Sequence, residues 1–336
     1  RGSRVVSDAA PHPRPRGGMP PTMNQALPRS AALALPQCRF KRAVFLLGHM
    51  RCGSTALSRV LCAHPDISGH GEAHVAYGRA GALGQLLLNQ WRRRAWKPRA
   101  RYLHDKLLHD GLDAGVPARF TAARAIFLVR EPAAAIRSIP HLFGAIGSAE
   151  YASAARAAAY YGARLGRLEQ LWHAFPAHRR LGLDHGALTG DPAAALACIT
   201  GLLGLAQPLA NGYGPAPKPP PGAGDPLASP RFNAIVPAAL STSLASEPRP
   251  IDLPDGQLAA LERQYRALTE LFGIDRDRNH RARNATASDQ SGEAQGAKEI
   301  KAIPDTGRIA DAAGTGPGND GSQAGTSKAH SGDHGA

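Results

Sequence analysis

One segment constrains the fold more than any other. Ala43-Val-Phe-Leu-Leu-Gly48, an uninterrupted apolar run, passes directly into the glycine-bounded loop Gly48-His-Met-Arg-Cys-Gly53 and then into Ser54 to Cys62. A short apolar run closed by turn residues reads as a strand buried on both faces, the kind that parallel sheets use. After the loop, Ala56, Leu57, Val60 and Leu61 recur at helical spacing. The order is therefore strand, glycine loop, helix. A second unit of the same form begins at Ala125-Ile-Phe-Leu-Val129 and passes through Arg130 and Glu131 into a helix that opens on Pro132, where a helix tolerates proline. Helical patterns follow at about 149–175, 191–204 and 255–272, the last with Leu258, Leu261, Tyr265, Leu268 and Leu271 on one stripe. Strands alternating with helices predict an α/β fold of the P-loop-like type: three layers, with a central parallel sheet flanked by helices.

The boundaries of this domain come from composition. Residues 1–42 carry Arg and Pro in loose order without a helical or strand period and read as a disordered basic N-terminal arm. Residues 276–336 turn to Gly, Ala, Ser, Asp and Asn and read as a disordered low-complexity tail. Residues 43–275 remain, the size of one domain. The net charge of +14 in 336 residues points to a negatively charged partner. It divides unevenly: residues 1–42 hold 8 basic and 1 acidic residue, 43–275 hold 24 and 17, and 276–336 hold 8 of each. Half of the charge that suggests a nucleic-acid partner thus sits on the arm, and the other half includes Arg51, Lys106 and Arg130 beside the motifs below. That distribution favours a small anionic ligand over a specific nucleic-acid partner. No run approaches the ~18 apolar residues of a membrane span, and the N-terminus lacks the basic start and apolar core of a secretory leader. Cys38, Cys52, Cys62 and Cys198 form no C-x-x-C pair, as expected of reduced thiols in the cytoplasm.

The first loop lies where backbone N–H groups and a helix dipole bind phosphate-like anions. Its two glycines match the register of G-x-x-x-x-G-K-[ST], but Ser54 stands where the nucleotide triphosphatase lysine belongs. ATP hydrolysis and ordinary kinase chemistry are therefore disfavoured, and Arg51 supplies a cation three residues earlier. The second strand ends on Arg130, and Ser138 follows eight residues on in the helix, so that a guanidinium and a hydroxyl can hold one phosphate between them. Two such places would take two separate anionic groups. No H-E-x-x-H or Cys/His ligand spacing occurs, and no metal site is expected.

These stretches resemble the sulfotransferases that use 3′-phosphoadenosine 5′-phosphosulfate (PAPS). FLLGHMRCGSTALSRVLCAHPDI, followed by GEAH, is similar to the 5′-phosphosulfate loop, its helix and the His-Pro-Asp then Gly-Glu stretch of carbohydrate and protein-tyrosine sulfotransferases and their bacterial relatives. IFLVREPAAAIRSI is similar to the family's 3′-phosphate motif. The resemblance implies that Arg51, Cys52, Gly53, Ser54, Thr55 and Ala56 wrap the 5′-phosphosulfate, largely through main-chain N–H groups, and that Arg130 and Ser138 bind the 3′-phosphate. It implies Glu72 as the base that takes the acceptor proton. Lys106, in YLHDKLLH, is implied as the cation beside the transferring group. Read without the family, Glu72 is a loop carboxylate in solvent and Lys106 a lysine snorkelling at a strand edge.

The resemblance thins beyond these blocks. His185-Gly-Ala-Leu188 keeps only the leucine of a Tyr-Glu-Asp-Leu stretch, so a strand is expected there without the polar contacts. The run from Lys218 through Gly222, Gly224 and Asp225 resembles a Gly-x-Gly-Asp loop near the nucleotide and reads equally as a mobile linker. The expected acceptor is a hydroxyl of a small molecule or glycan, with lipid and tyrosine or phenol hydroxyls also open. The other classes left standing are a P-loop-fold small-molecule kinase and a catalytically silent protein that binds anions or nucleic acid. The Ala/Arg/Gly-rich composition suits a bacterial source.

Overall fold

The computed structural model describes residues 23–214, 233–236 and 250–274. Among them, five parallel strands form one sheet: β1 Ala43–Gly48, β2 Ile67–Ser68, β3 Tyr102–Leu107, β4 Arg124–Val129 and β5 Arg180–Asp184, in the order β2-β3-β1-β4-β5. The helices are α1 Met23–Ala34, α2 Ser54–Ala63, α3 Ala82–Arg92, α4 Asp110–Asp113, α5 Pro132–Ala145, α6 Ala154–Ala174, α7 His185–Gly190, α8 Pro192–Leu203 and α9 Gln257–Leu271. The chain is an α/β protein with helices on both faces of a parallel sheet.

Period-two alternation in the central strands builds two cores. Phe45 and Leu47 of β1, with Ala125, Phe127 and Val129 of β4, face a layer that holds Leu83, Leu86, Ile136, Ile139, Tyr161, Leu165, Leu168 and Phe272. Val44 and Leu46, with Ile126 and Leu128, face Leu57, Val60, Leu61, Leu196 and Ile199. Both faces of β1 are sealed, and each of its residues is buried.

The strand order sets the place of the site. From β1 the chain moves through α2 to the edge strand β2, returns through α3 to β3 beside β1, and then crosses to β4 and β5 on the other side. The winding direction reverses at β1, and in open parallel sheets ligands bind at such a reversal, outside the carboxyl ends of the strands, here β3, β1 and β4. The register Leu47 to Leu107 and Gly48 to Leu128 brings these three ends level.

The N-terminal boundary needs correction. Residues 23–42 are part of the folded body and not of a disordered arm: α1 packs on α3, and the stretch after it is tied down by Gln37. A β-carbon on Gly84 of α3 would collide with the Pro28 carbonyl oxygen, so the two helices approach at backbone contact. The Gln37 amide donates to the carbonyls of Lys97, Pro98 and Ala100 and accepts from the Trp96 indole. Composition does not reveal α1 because Leu27 and Leu33 point outward, 60 % and 87 % exposed, so no apolar stripe shows in the sequence. Residues 1–22, the Lys218–Asp225 stretch and the tail from 276 lie outside the described residues.

Candidate active site

The loop after β1 turns through two left-handed residues, Arg51 at φ 66° and Gly53 at φ 93°. The glycine adopts this conformation freely; the arginine does not, and a non-glycine residue held there marks a loop shaped for a task. A β-carbon on Gly53 would also stand 2.9 Å from the His185 ring. No side chain caps α2 at Gly53. Cys52 and Ser54 are buried with their side chains facing each other, so each meets a ligand only through its backbone. Burial pushes the Cys52 thiol up, which keeps it protonated and unreactive. Thr55 and Ala56 stand half-buried at the start of the helix.

Arg130 and Ser138, at the end of β4 and within α5, meet Arg51. The Arg51 Nε donates to the Ser138 hydroxyl at 2.8 Å, and an Arg130 Nη donates to the Arg51 carbonyl at 3.2 Å. The guanidinium of Arg130 is pulled down first by burial and next by the positive charge of Arg51. Two like charges held together in a half-buried place gain from an anion between them. Arg51, assigned from the sequence to the first loop, thus carries its side chain to Ser138 of the second motif.

Glu72, in the loop after β2, and Lys106, on β3, form an ion pair with Nζ 3.4 Å from Oε2. The same Nζ lies 3.4 Å from the Thr55 hydroxyl. One ammonium therefore joins the carboxylate to the start of α2. Neither partner is a solvated surface group: the side chain of Lys106 is 8 % exposed and that of Glu72 17 %. His74 stands 3.9 Å from the other carboxylate oxygen. Asp105, fully buried, holds this arrangement from beneath. It accepts from the N–H of Ala73 at 2.9 Å, the N–H of Lys106 at 2.8 Å and the hydroxyl of Tyr77 at 2.8 Å, which ties the Glu72 loop to β3. Desolvation, reinforced by the nearby Glu72 charge, pushes its carboxyl up to about 7.

The sequence reading missed the groups that position these parts. Arg164 of α6 is fully buried and donates to the carbonyls of Gly48 and Leu107, at the ends of β1 and β3, and to Asp110 and Asp113. Tyr160 accepts from the Met50 N–H at 2.8 Å and donates to the Leu108 carbonyl at 2.6 Å, while Tyr161 donates to the Arg130 carbonyl at 2.6 Å. One helix thus sets the ends of three strands. A signal existed for Arg164, which sits on the apolar stripe Ala157, Tyr161, Leu165 and Leu168, a place an unpaired arginine does not occupy. His49, inside the first loop, is also fully buried. Its Nε2 accepts from the Arg130 N–H at 2.9 Å, so Nδ1 carries the proton and donates to the Met50 carbonyl at 2.8 Å. Burial lowers the imidazole to about 4 and keeps it neutral. His185, discounted from the sequence as a lost polar position, covers the loop at Gly53 and opens a helix, α7, where a strand was expected.

Several solved structures are similar to this chain. The sulfotransferase domain of the Synechococcus PCC 7002 olefin synthase is 24 % identical over 69 % of this chain and 94 % of its own, with a TM-score of 0.45. The sulfotransferase domain of the curacin biosynthetic pathway is 18 % identical over 66 % and 96 %, with a TM-score of 0.43. The mouse sulfotransferase SULT7A1, solved with PAP, is 14 % identical over 72 % and 69 %, with a TM-score of 0.36. No protein-family model matches the sequence, and no curated protein matches it.

Proposed function

We propose that this protein transfers a sulfuryl group from PAPS to the hydroxyl of a small-molecule or glycan acceptor. The observation that supports the reading is the grouping of the uncapped start of α2, the Arg51, Arg130 and Ser138 cluster and one ammonium–carboxylate pair at the carboxyl edge of a single sheet. The backbone of Arg51, Cys52, Gly53, Ser54, Thr55 and Ala56 would hold the 5′-phosphosulfate at the start of α2. Arg130, Ser138 and the side chain of Arg51 would hold the 3′-phosphate, with charge-assisted hydrogen bonds replacing the repulsion between the two guanidinium groups.

In the transfer, Glu72 takes the proton from the acceptor hydroxyl as its oxygen bonds to sulfur. The bond between sulfur and the bridging oxygen breaks, and its electron pair stays on that oxygen, which leaves as part of adenosine 3′,5′-bisphosphate. Lys106 faces the charge that develops there. Its contacts with both Glu72 and Thr55 support this assignment, because a cation fixed before the reaction stabilises developing charge without reorganising. Cys38, Cys52, Cys62 and Cys198 are all free, which supports a reducing compartment such as the cytoplasm. Among the described residues, no helix is long and apolar enough to cross a membrane.

Calorimetric titration with adenosine 3′,5′-bisphosphate tests the proposal. The purified protein should bind it, and Arg130→Ala should weaken binding about 10- to 100-fold, as expected for losing charged hydrogen bonds. Failure of the unaltered protein to bind, or full binding by the variant, overturns the reading.

A further inference from the structure

The two anion-binding groups belong to different loops, and a donor with two charged ends needs a set distance between them. Arg130 does not take its position from its own loop alone. Its peptide is held at both ends by buried side chains: the N–H by His49 Nε2 at 2.9 Å and the carbonyl by Tyr161 at 2.6 Å. Tyr161 comes from α6, but His49 comes from the first anion loop, two residues before Arg51. The other ring nitrogen of His49 donates to the carbonyl of Met50 in that same loop, and the ring packs edge-on to Tyr161 with centroids 4.7 Å apart. A fully buried ring with both nitrogens used and one face closed has no freedom to shift between the loops. Arg130 Nη1 then returns to the Arg51 carbonyl and closes the circuit.

We propose that His49 is a positioning residue that sets the spacing between the two anion-binding groups, so that the nucleotide is recognised as a bisphosphate and not as two independent phosphates. This rests on the donor reading above. His49 touches neither the reacting atoms nor the nucleotide in this assignment; it acts through the Arg130 peptide.

The histidine's two bonds can be removed separately. In His49→Gln the amide oxygen reaches the place of Nε2 and still accepts from the Arg130 N–H, while the bond to Met50 is lost. In His49→Asn the amide nitrogen keeps the bond to the Met50 carbonyl, and the acceptor for Arg130 is lost. Each variant gives up one buried hydrogen bond, so a purely structural role predicts equal effects. Titration with adenosine 3′,5′-bisphosphate, adenosine 5′-phosphate and adenosine 3′-phosphate reads the difference. The expected result is an affinity for the bisphosphate about tenfold weaker in His49→Asn, with both monophosphates within about twofold of the unaltered protein and His49→Gln close to normal for all three. Equal bisphosphate losses in the two variants, or losses in His49→Asn that fall as heavily on the monophosphates, overturn the proposal while leaving the donor reading intact. If the unaltered protein does not prefer the bisphosphate to either monophosphate, the donor reading falls and the proposal with it. A measurement on the unaltered protein covers the case in which His49→Asn does not fold: adenosine 5′-phosphate should shift the Arg130 amide resonance in a nitrogen–proton correlation spectrum, and an unmoved resonance refutes the coupling.

Discussion

Asp105 makes a prediction whose size follows from the structure. Burial in β3 pushes its carboxyl from an ordinary 3.8 up to about 7. Between those values the folded protein keeps a proton that the unfolded chain has released. Its contribution to stability is therefore full below about pH 3.8 and drains away as the pH rises through 7. The separation corresponds to roughly 4 kcal/mol, a large share of the ~5–15 kcal/mol that holds a domain together. Asp105→Asn removes the titration and keeps a carbonyl oxygen for the N–H groups of Ala73 and Lys106. Urea denaturation of both proteins at about pH 5, 6.5 and 8 gives the assay. The stability of the variant relative to the unaltered protein should rise by about 3 kcal/mol from the lowest pH to the highest. Taking the difference between the two cancels His49, His70 and His104, which work in the opposite sense. Burial holds all three near 4, so the stability they contribute is present above about 6.5 and lost on acidification. A difference that stays flat within about 1 kcal/mol refutes the reasoning. It would mean that the three donors on Asp105 outweigh desolvation and keep the carboxylate ionised.

Other consequences are as specific. Glu72→Gln should lower kcat about 10²- to 10⁴-fold in a labelled-sulfate transfer assay while adenosine 3′,5′-bisphosphate binds normally; unchanged kcat removes Glu72 as the base. Arg164→Met should cost about 3–5 kcal/mol in urea denaturation, because Asp113 stays buried with only Arg167 to pair it. Asp113→Asn added to Arg164→Met should recover part of that cost, and a single-variant cost below about 1 kcal/mol counts against Arg164 as the tie between the strand ends. Gly84→Val places side-chain atoms on the Pro28 carbonyl and should expose the segment before Phe40 to limited proteolysis without loss of sheet signal in circular dichroism; an unchanged digestion pattern would show that α1 does not depend on this contact.

The sequence by itself determined the frame. Buried strands, the glycine loop and the helix starts are local signals, written in consecutive residues whose period or turn chemistry is visible without the rest of the chain. That is why the α/β class, the loop from Gly48 to Gly53 and the places of Arg130 after a strand and Ser138 in the next helix were legible there, and why the helices at 154–174, 192–203 and 257–271 fell close to their expected places. Only the tertiary structure decided the rest, and the reason is the same in each case. The side chain of Arg51 joins Ser138 through a contact 87 residues apart in the chain. The Lys106 ammonium meets Glu72 and Thr55 because β3, the loop after β2 and the start of α2 converge at one end of the sheet. Helix α1 exists through backbone contact with Gly84, with its leucines turned outward. His49 and Asp105 look in the sequence like any polar residue, and Arg164 is marked only by its place on an apolar stripe, because what gives each its role is burial. Desolvation and the partners that offset it belong to the packed protein and to no stretch of chain.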